Sequence, residues 1–290
     1  MRVYVTGGAG QVGRALAATG PDGMACVGLS SADLDVTDAD AVRRWSREHL
    51  AGGDVIVNCA AYTRVDDAES DAAAATAVNV DGAAHLAEAS AAIGARLVHL
   101  STDYVFDGPA APRPPDRTAP YEPDDVGGDP PSVYGRTKLA GERAVRAHDP
   151  AATIVRTAWV YTGGDGDFVG TMRRLAAERD VLTVVDDQLG SPTYAPDLAR
   201  GLWQLIEQDA GRGAVLHATN AGQTTWYGLA REVLALDGLD PDRVRPCTTA
   251  DFPRPAPRPA YSVLSPRSWT GAGLAPLPDW RDALRAALVR

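Results

Sequence analysis

The chain has 290 residues, 45% of them hydrophobic and 23% charged, which is ordinary for a globular protein. No apolar run approaches the ~18 residues that a membrane span needs and the first residues lack a signal-peptide pattern, so we expect a cytoplasmic protein with no membrane partner. The net charge of −10 argues against a nucleic-acid partner, and Cys26, Cys59 and Cys247 lack zinc-site spacing.

The first half of the chain alternates predicted strands with predicted helices. Short apolar runs predict strands at Arg2–Thr6, Ala25–Leu29, 54–59 and 96–101. Helices are predicted at Gln11–Thr19 and over the alanine-rich stretch 71–93. This alternation predicts an α/β protein with a doubly wound parallel sheet, the Rossmann fold, and we expect Cys26 and Cys59 to lie in its buried strands.

The second half begins with a proline-rich segment, 109–131, which holds eight prolines. It is predicted to be a loop that either borders a site or is a plain surface excursion. Further helices are predicted at 132–147, 168–179, 195–208, 225–236 and 279–288, and further strands at 153–156, 181–185 and 214–218. We expect residues 1–155 to form a dinucleotide-binding domain, to which a segment near 186–217 returns, and 156–290 to form mainly a smaller substrate-binding lobe.

A glycine-rich turn, Gly7-Gly8-Ala9-Gly10-Gln11-Val12-Gly13, joins the first strand to the first helix. Glycines permit a tight turn and the close approach of a pyrophosphate, which rests on the helix N-terminus. A purely structural turn is the alternative, but the position between strand and helix favours a dinucleotide site. Its predicted contacts are Gly7, Gly10, Gln11, Val12 and Gly13.

The end of the second strand bears on which dinucleotide binds. A carboxylate there binds the ribose 2′-hydroxyl in NAD-binding proteins of this fold. This chain has Ser30 at that point and no carboxylate, with Asp33 and Asp35 a few residues later. Because a serine tolerates a 2′-phosphate, we predict NADPH as the cofactor, with NADH as the alternative.

Tyr134 and Lys138 stand four residues apart in a predicted helix and therefore share one face of it. An ammonium group beside a phenol favours the phenolate, so we expect Lys138 to lower the pKa of Tyr134 and to reach the nicotinamide ribose. Lys138 is also the one lysine among 28 basic residues. A chance surface pair is the alternative, which the glycine turn disfavours.

The segment Ser101-Thr102-Asp103-Tyr104-Val105-Phe106 begins where the fourth strand ends. Ligands of open α/β sheets bind beyond that edge, so a hydroxyl there can bond a substrate carbonyl beside Tyr134. An ordinary turn at the end of a strand is the alternative interpretation.

Together with Asn58-Cys59-Ala60-Ala61-Tyr62-Thr63, these motifs resemble an extended short-chain dehydrogenase/reductase of the NAD-dependent epimerase/dehydratase superfamily. More closely, the chain resembles the dTDP-4-dehydrorhamnose reductase family. The closer likeness runs nearly end to end and includes the segments 65–69, 156–161, 187–193, 224–227 and 258–262.

The resemblance implies roles for individual residues. Thr102, Tyr134 and Lys138 would be the catalytic triad. Further cofactor contacts would come from Ser30, Asp35, Val36, Ala60, Ala61, Tyr62 and Lys138. Substrate contacts would come from Thr63, Val65, Thr102, Asp103, Phe106, Tyr134, Trp159, Gln188 and Arg258.

The implied reaction is NADPH-dependent reduction of the C4 keto group of a dTDP-linked 4-keto-6-deoxy sugar. A nucleotide-sugar epimerase or dehydratase of the same fold is one alternative, and a non-catalytic NADP-binding regulatory subunit is another. Family dehydratases place an Asp-Glu pair after the threonine, whereas Asp103 here precedes Tyr104, which favours reduction. The intact triad weighs against a regulatory subunit.

Some members of the family dimerise through a magnesium site that uses glutamates. The matching positions here are Ala15 and Pro196, which have no carboxylate to offer a hard cation. We therefore expect no metal site, and a monomer or weak homodimer.

Overall fold

Six parallel strands form the central sheet of the computed structural model, which describes residues 1–106 and 119–288. In order across the sheet they are β10 (Val215–His217), β5 (Thr153–Thr157), β4 (Arg96–Thr102), β3 (Val55–Asn58), β1 (Arg2–Thr6) and β2 (Ala25–Leu29). Every neighbouring pair is parallel. The predicted Rossmann sheet is confirmed, and β10 joins it from the second half of the chain.

Helices cover both faces of this sheet, because successive strand residues point to opposite sides. On one face lie α1 (Gln11–Thr19) and α7 (Ala195–Glu207), and on the other lie α2 (Ala39–His49), α4 (Gly82–Ile93) and α5 (Val133–His148). Val57 packs with the first pair, whereas its neighbour Ile56 packs with the second group. The strands are thus buried between two hydrophobic cores.

The predicted helix over 71–93 has an irregular turn within it. An α-helical start, α3 (Ala72–Thr76), passes through a π-helical turn at Ala77–Asp81 before continuing as α4. The wider turn buries Asn79, which is 1% exposed, against the neighbouring α5. Such π turns frequently mark functional sites.

Two features of the first half differ from the prediction. Helix α2 was not predicted, because few apolar residues interrupt its charged sequence. Burial of Cys26 was also predicted and is wrong: β2 is the edge strand of the sheet, and both Cys26 and Cys59 are only partly buried.

A second, smaller layer of structure is built by the rest of the chain. It contains α6 (Phe168–Glu178), α8 (Trp226–Leu236), α10 (Trp280–Leu288), and the short paired strands β7 (Leu182–Val185) with β12 (Val244–Cys247), β6 (Val160–Tyr161) with β9 (Thr193–Tyr194), and β8 (Leu189–Gly190) with β11 (Thr224–Thr225). Its own hydrophobic core joins α6, α8 and α10. The short helix α9 (Arg267–Gly271) instead packs on the central sheet through Trp269.

The proline-rich segment is irregular where it is described. Residues 109–118 of that prediction lie outside the described part, and residues 119–131 hold only an isolated bridge from Tyr121 to Leu264. Among the described residues, no helix combines the length and the apolar character needed to span a membrane.

The glycine turn between β1 and α1 is packed against backbone on three sides. A Cβ at Gly8 would lie 2.7 Å from the Cα of Gly28, and one at Gly13 would lie 2.6 Å from the carbonyl oxygen of Gly7. Gly7 itself has a φ of +67°, which a side chain disfavours. At Gly10, by contrast, the nearest atom would be 3.2 Å away.

We expect Gly13→Ala to reduce the free energy of unfolding by about 1–3 kcal/mol, because backbone atoms must move to admit the methyl group. Gly10→Ala is the matched control and should cost less than about 1 kcal/mol. Urea unfolding followed by circular dichroism measures both. Equal losses in the two variants would contradict the packing argument.

Candidate active site

Thr102 ends β4 at the carboxyl edge of the sheet, and Asp103 begins the 3-10 turn Asp103–Phe106 that follows. Both are buried. The Thr102 hydroxyl donates to Asp103 Oδ1 at 2.9 Å, and its oxygen accepts a bond of 3.3 Å from the backbone N–H of Tyr104. Thr102, the predicted site residue, therefore also holds a local hydrogen-bonded turn.

Helix α5 brings Tyr134 to this turn. Ser132 caps the helix by accepting from Gly135 N at 3.1 Å, and Glu69 accepts from Val133 N at 2.8 Å. Gly135 lies so close to the 3-10 turn that a Cβ there would be 2.6 Å from the carbonyl oxygen of Tyr104. Tyr134 consequently lies beside Thr102.

Burial sets the acidity of Tyr134. Loss of solvent raises the pKa of Tyr134 to about 12, while the neighbouring hydroxyl of Thr102 opposes the shift and the charge of Asp103 adds to it. The expectation that Lys138 lowers this pKa is wrong in this arrangement. A neutral phenol at pH near 7 suits a group that donates a proton.

Lys138 lies one turn further along α5, 2% exposed, with its ammonium donating to the carbonyl oxygen of Leu100 at 2.7 Å. Burial lowers the pKa of Lys138 to about 8, and the carboxylate of Glu142 acts in the opposite direction. Lys138 therefore stays charged at neutral pH and is fixed to the strand that carries Thr102.

A buried ion pair supports this helix from below, and sequence reasoning missed it. The guanidinium of Arg156 donates to both carboxylate oxygens of Glu142, at 2.8 and 2.7 Å. It also donates to the carbonyl oxygen of Pro123 and lies 4.8 Å above the ring of Phe106. The signals were present, since Glu142 follows Lys138 by four residues and an arginine in a buried strand requires a partner.

The first turn of α1 lies at the same edge of the sheet. Gly10 precedes the helix, and no side chain caps its N-terminus. The amides of Gln11, Val12 and Gly13 therefore have no acceptor within the helix, which makes this end a suitable seat for a phosphate. The predicted diphosphate contacts lie together here.

At the end of β2 the structure corrects the prediction that no carboxylate lies there. Both the amide and the hydroxyl of Ser30 donate to Asp33 Oδ2, at 2.8 and 2.6 Å. A carboxylate therefore does stand at this strand end, supplied by Asp33. These hydrogen bonds lower the pKa of Asp33, so it is charged at neutral pH. Asp35 is similarly bonded to Thr37.

The segment after β3 is held by two asparagines that sequence reasoning did not single out. Asn58 accepts from Thr6 at 2.7 Å and from the amide of Ala60 at 3.1 Å. Asn79, in the π turn, accepts from the amide of Tyr62 at 2.9 Å and donates to Thr137 of α5 at 3.0 Å. The available signal was the position of Asn58 at the end of β3, whereas no comparable signal marked Asn79.

These two asparagines fix the backbone through Ala60, Ala61 and Tyr62. Val36 lies nearby and packs on Gly82 at the start of α4. The remaining predicted residues of this stretch are more open: Thr63 is exposed and Val65 is half-buried.

Several predicted substrate residues already have partners within the protein. Phe106 is 1% exposed and stacks on Tyr121, so it supports the site from beneath and does not line it. Gln188 is buried and donates to Thr249 at 2.9 Å. Arg258 donates to Asp66 at 2.9 Å.

Trp159 follows β5 and adopts a left-handed backbone conformation, with a φ of +48°. Its indole stacks on that of Trp226, with ring centroids 3.6 Å apart and an interplanar angle of 9°. The ring lies against Gly190, where a Cβ would be 2.5 Å from it. Strain of this kind in a non-glycine residue persists where the surroundings enforce it, commonly at ligand sites.

The two positions matched to the family's metal site lie at the protein surface. Ala15 and Pro196 line a surface depression of about 630 Å³ together with Arg14 and Arg173. Among the described residues, no group of three or more histidine, cysteine, aspartate or glutamate side chains is placed to hold a metal ion.

Comparison with known proteins places this geometry among sugar-nucleotide reductases. A family model described as the RmlD substrate binding domain matches residues 1–290. The dTDP-4-dehydrorhamnose reductase of Mycobacterium tuberculosis (strain ATCC 25618 / H37Rv) is 54% identical, over 99% of this chain and 92% of the relative. A Streptomyces antibioticus protein named as a probable dTDP-4,6-dihydroxy-2-methyloxan-3-one 4-ketoreductase is 48% identical, over 99% and 94% of the two chains.

A solved structure shares this fold. The crystal structure of dTDP-4-dehydrorhamnose reductase from Bacillus anthracis str. Ames in complex with NADP has a TM-score of 0.90 and 34% identity. The superposition covers 99% of this chain and 98% of that one.

We expect Gly190→Ala to separate the indoles of Trp159 and Trp226, because the added methyl group would overlap the first ring. Stacked indoles produce an exciton couplet in the far-ultraviolet circular dichroism spectrum, which the variant should lose. Gly271→Ala is the control, since a Cβ there meets nothing within 4 Å. An intact couplet in the Gly190 variant would contradict the proposed contact.

Proposed function

The chain belongs to the RmlD substrate binding domain family, and we propose that it reduces the C4 keto group of a dTDP-linked 4-keto-6-deoxyhexose, using NADPH. The observation that carries the proposal is the meeting of Thr102, Tyr134 and Lys138 at the carboxyl edge of the sheet. The names of the relatives from Mycobacterium tuberculosis and Streptomyces antibioticus support the substrate class.

NADPH would be held by the first half of the chain, with its diphosphate on the uncapped start of α1 and its adenosine end near Ser30. When bound, it supplies the hydride that C4 of the sugar receives. Lys138 would offer its remaining donors to the nicotinamide ribose, since one is already committed to Leu100. The NADP of the Bacillus anthracis reductase supports this choice.

Tyr134 would donate its proton to the C4 oxygen as negative charge develops there. Its raised pKa keeps that proton in place at neutral pH until the substrate oxygen becomes basic. Thr102 would hold the same oxygen by a hydrogen bond, and the fixed geometry of β4 and α5 would supply the orientation.

The substrate would lie between the sheet edge and the second layer, in accord with the proposed division into a cofactor domain at 1–155 and a substrate lobe at 156–290. Thr63 and Val65 would face it from one side and the Trp159 indole from the other. Arg258 and Gln188 would act by holding the C-terminal segment against the site.

Two alternatives are less well supported. An epimerase or dehydratase of this fold would bind a sugar nucleotide in the same cleft, but Tyr104 stands where a dehydratase has its glutamate. A regulatory NADP-binding subunit would not require Tyr134 and Thr102 to be in contact. Location in the cytoplasm and assembly as a monomer or weak homodimer stay predictions.

Tyr134→Phe tests the assignment directly. We expect turnover with dTDP-4-keto-6-deoxyglucose, supplied with and without a 3,5-epimerase, to fall by about 10²–10⁴, while NADPH affinity stays within a few fold. NADPH oxidation and NMR analysis of the product provide the measurements. An active Phe variant would remove Tyr134 as the acid, and an inactive wild-type protein would refute the proposed reaction.

Asp33→Ala tests the cofactor end. The carboxylate would repel the 2′-phosphate of NADPH and would accept from the 2′-hydroxyl of NADH, so its removal should raise the NADPH/NADH ratio of kcat/KM by about one order of magnitude. Asp40→Ala, an exposed carboxylate on α2, is the matched control. An unchanged ratio would mean that Asp33 does not face the adenosine ribose.

A further inference from the structure

The hydroxyl of Thr102 has one proton and two candidate acceptors. It donates that proton to Asp103 Oδ1 at 2.9 Å. Tyr134 lies beside the same hydroxyl, and the proposed substrate oxygen would lie beside Tyr134. As long as Asp103 is an anion, it holds the proton that the reaction requires Thr102 to donate.

We propose that Asp103 is a positioning residue whose protonation state decides where the Thr102 hydroxyl donates. This inference rests on the proposed function. When Asp103 carries a proton, its carboxyl group donates to the Thr102 oxygen, and the Thr102 hydroxyl turns towards Tyr134 and the substrate oxygen. When Asp103 is ionised, the hydroxyl turns back to the carboxylate.

The surroundings of Asp103 make this titration accessible. Its side chain is 2% exposed, and burial raises the pKa of Asp103 to about 6, although the neighbouring hydroxyls of Ser262 and Thr102 oppose the shift. The ionised form of Asp103 is thus only weakly stabilised, because burial removes it from water.

Few charges face Asp103 from the elements packed around it. Helix α5 presents Tyr134, and the 3-10 turn presents Tyr104. Lys138, one turn further along α5, is bound to the carbonyl oxygen of Leu100. The C-terminal segment contributes Ser262 and, beyond Tyr104, Arg258 paired with Asp66. Behind Phe106 lie Arg156, bound to Glu142, and the neutral His217. Arg156 and Arg258 are paired with other carboxylates and Lys138 with a carbonyl oxygen, so these cations do not hold Asp103 in its ionised form.

The proton movements balance. Tyr134 gives its proton to the alkoxide formed when C4 receives hydride, which leaves a tyrosinate. The tyrosinate regains a proton from solvent after the product leaves. Thr102 and Asp103 keep their protons throughout and act only as hydrogen-bond donors.

The sign of the pH dependence follows. Asp103 has its reactive protonated form below about pH 6, so kcat/KM of the wild-type enzyme should fall as pH rises through that value, by up to about tenfold per pH unit. Asp103→Asn keeps a donor to Thr102 and cannot ionise. Its kcat/KM should be flat over the same interval and exceed that of the wild type above about pH 7.

Asp54→Asn is the matched control, because Asp54 is a buried carboxylate at the opposite edge of the sheet and should leave the inflection unchanged. A wild-type inflection that persists in Asp103→Asn overturns the proposal. If the asparagine variant fails to fold, Asp103→Ala replaces it, and the same loss of the inflection is expected.

A second measurement needs neither substrate nor cofactor. Infrared difference spectra of the free enzyme between about pH 5 and about pH 8 should show one buried carboxyl C=O band that is absent from Asp103→Asn. Thr102→Val should shift that band and raise its titration midpoint, since the carboxylate loses a donor. A band that does not respond to Thr102→Val overturns the coupling. Inactivity towards every sugar nucleotide with an intact, coupled band would instead refute the proposed function.

Discussion

The seating of α5 is the constraint on which the rest of the site depends. Gly135 meets the carbonyl of Tyr104, and a Cβ at Gly141 would lie 2.1 Å from the carbonyl oxygen of Asn79. Any side chain at either glycine would lift the helix from the 3-10 turn or from the π turn. Because Tyr134 and Lys138 project from this helix, their distances to Thr102 and Leu100 follow from two backbone contacts.

Dry surroundings give this geometry its acid–base character. Lys138, Glu142 and Arg156 are all buried. Glu142 and Arg156 neutralise each other's charge as an ion pair. Separating such a pair would leave an uncompensated charge in the core, so the pair also fixes the helix above it. Lys138 is left with a carbonyl as its partner, which leaves its remaining donors for a ligand.

Sequence patterns predicted the sheet, the glycine turn and the Tyr134–Lys138 helix, because each is marked by characteristic residues at short spacing. They could not predict local irregularities of the backbone or contacts made across long stretches of chain. The capture of Asp33 by Ser30, the π turn that buries Asn79, and the Trp159–Trp226 stack depend on backbone bends that periodicity does not encode. The same limit explains why Phe106 was predicted to contact the substrate. Its place in the motif did not reveal that it stacks on Tyr121.

The residue after Asp103 shows why this arrangement suits reduction better than elimination of water. Elimination requires one group to remove a proton from carbon and another to protonate the leaving oxygen, which dehydratases of this fold supply with adjacent carboxylates. Here Tyr104 packs edge-on against Tyr134, with ring centroids 5.3 Å apart, and burial raises its pKa above the ordinary value. An un-ionised phenol buried against the acid cannot remove a proton from carbon. In the proposed reaction, Asp103 would act on Thr102 and Tyr134 would donate the proton, and a ketone reduction requires no second carboxylate.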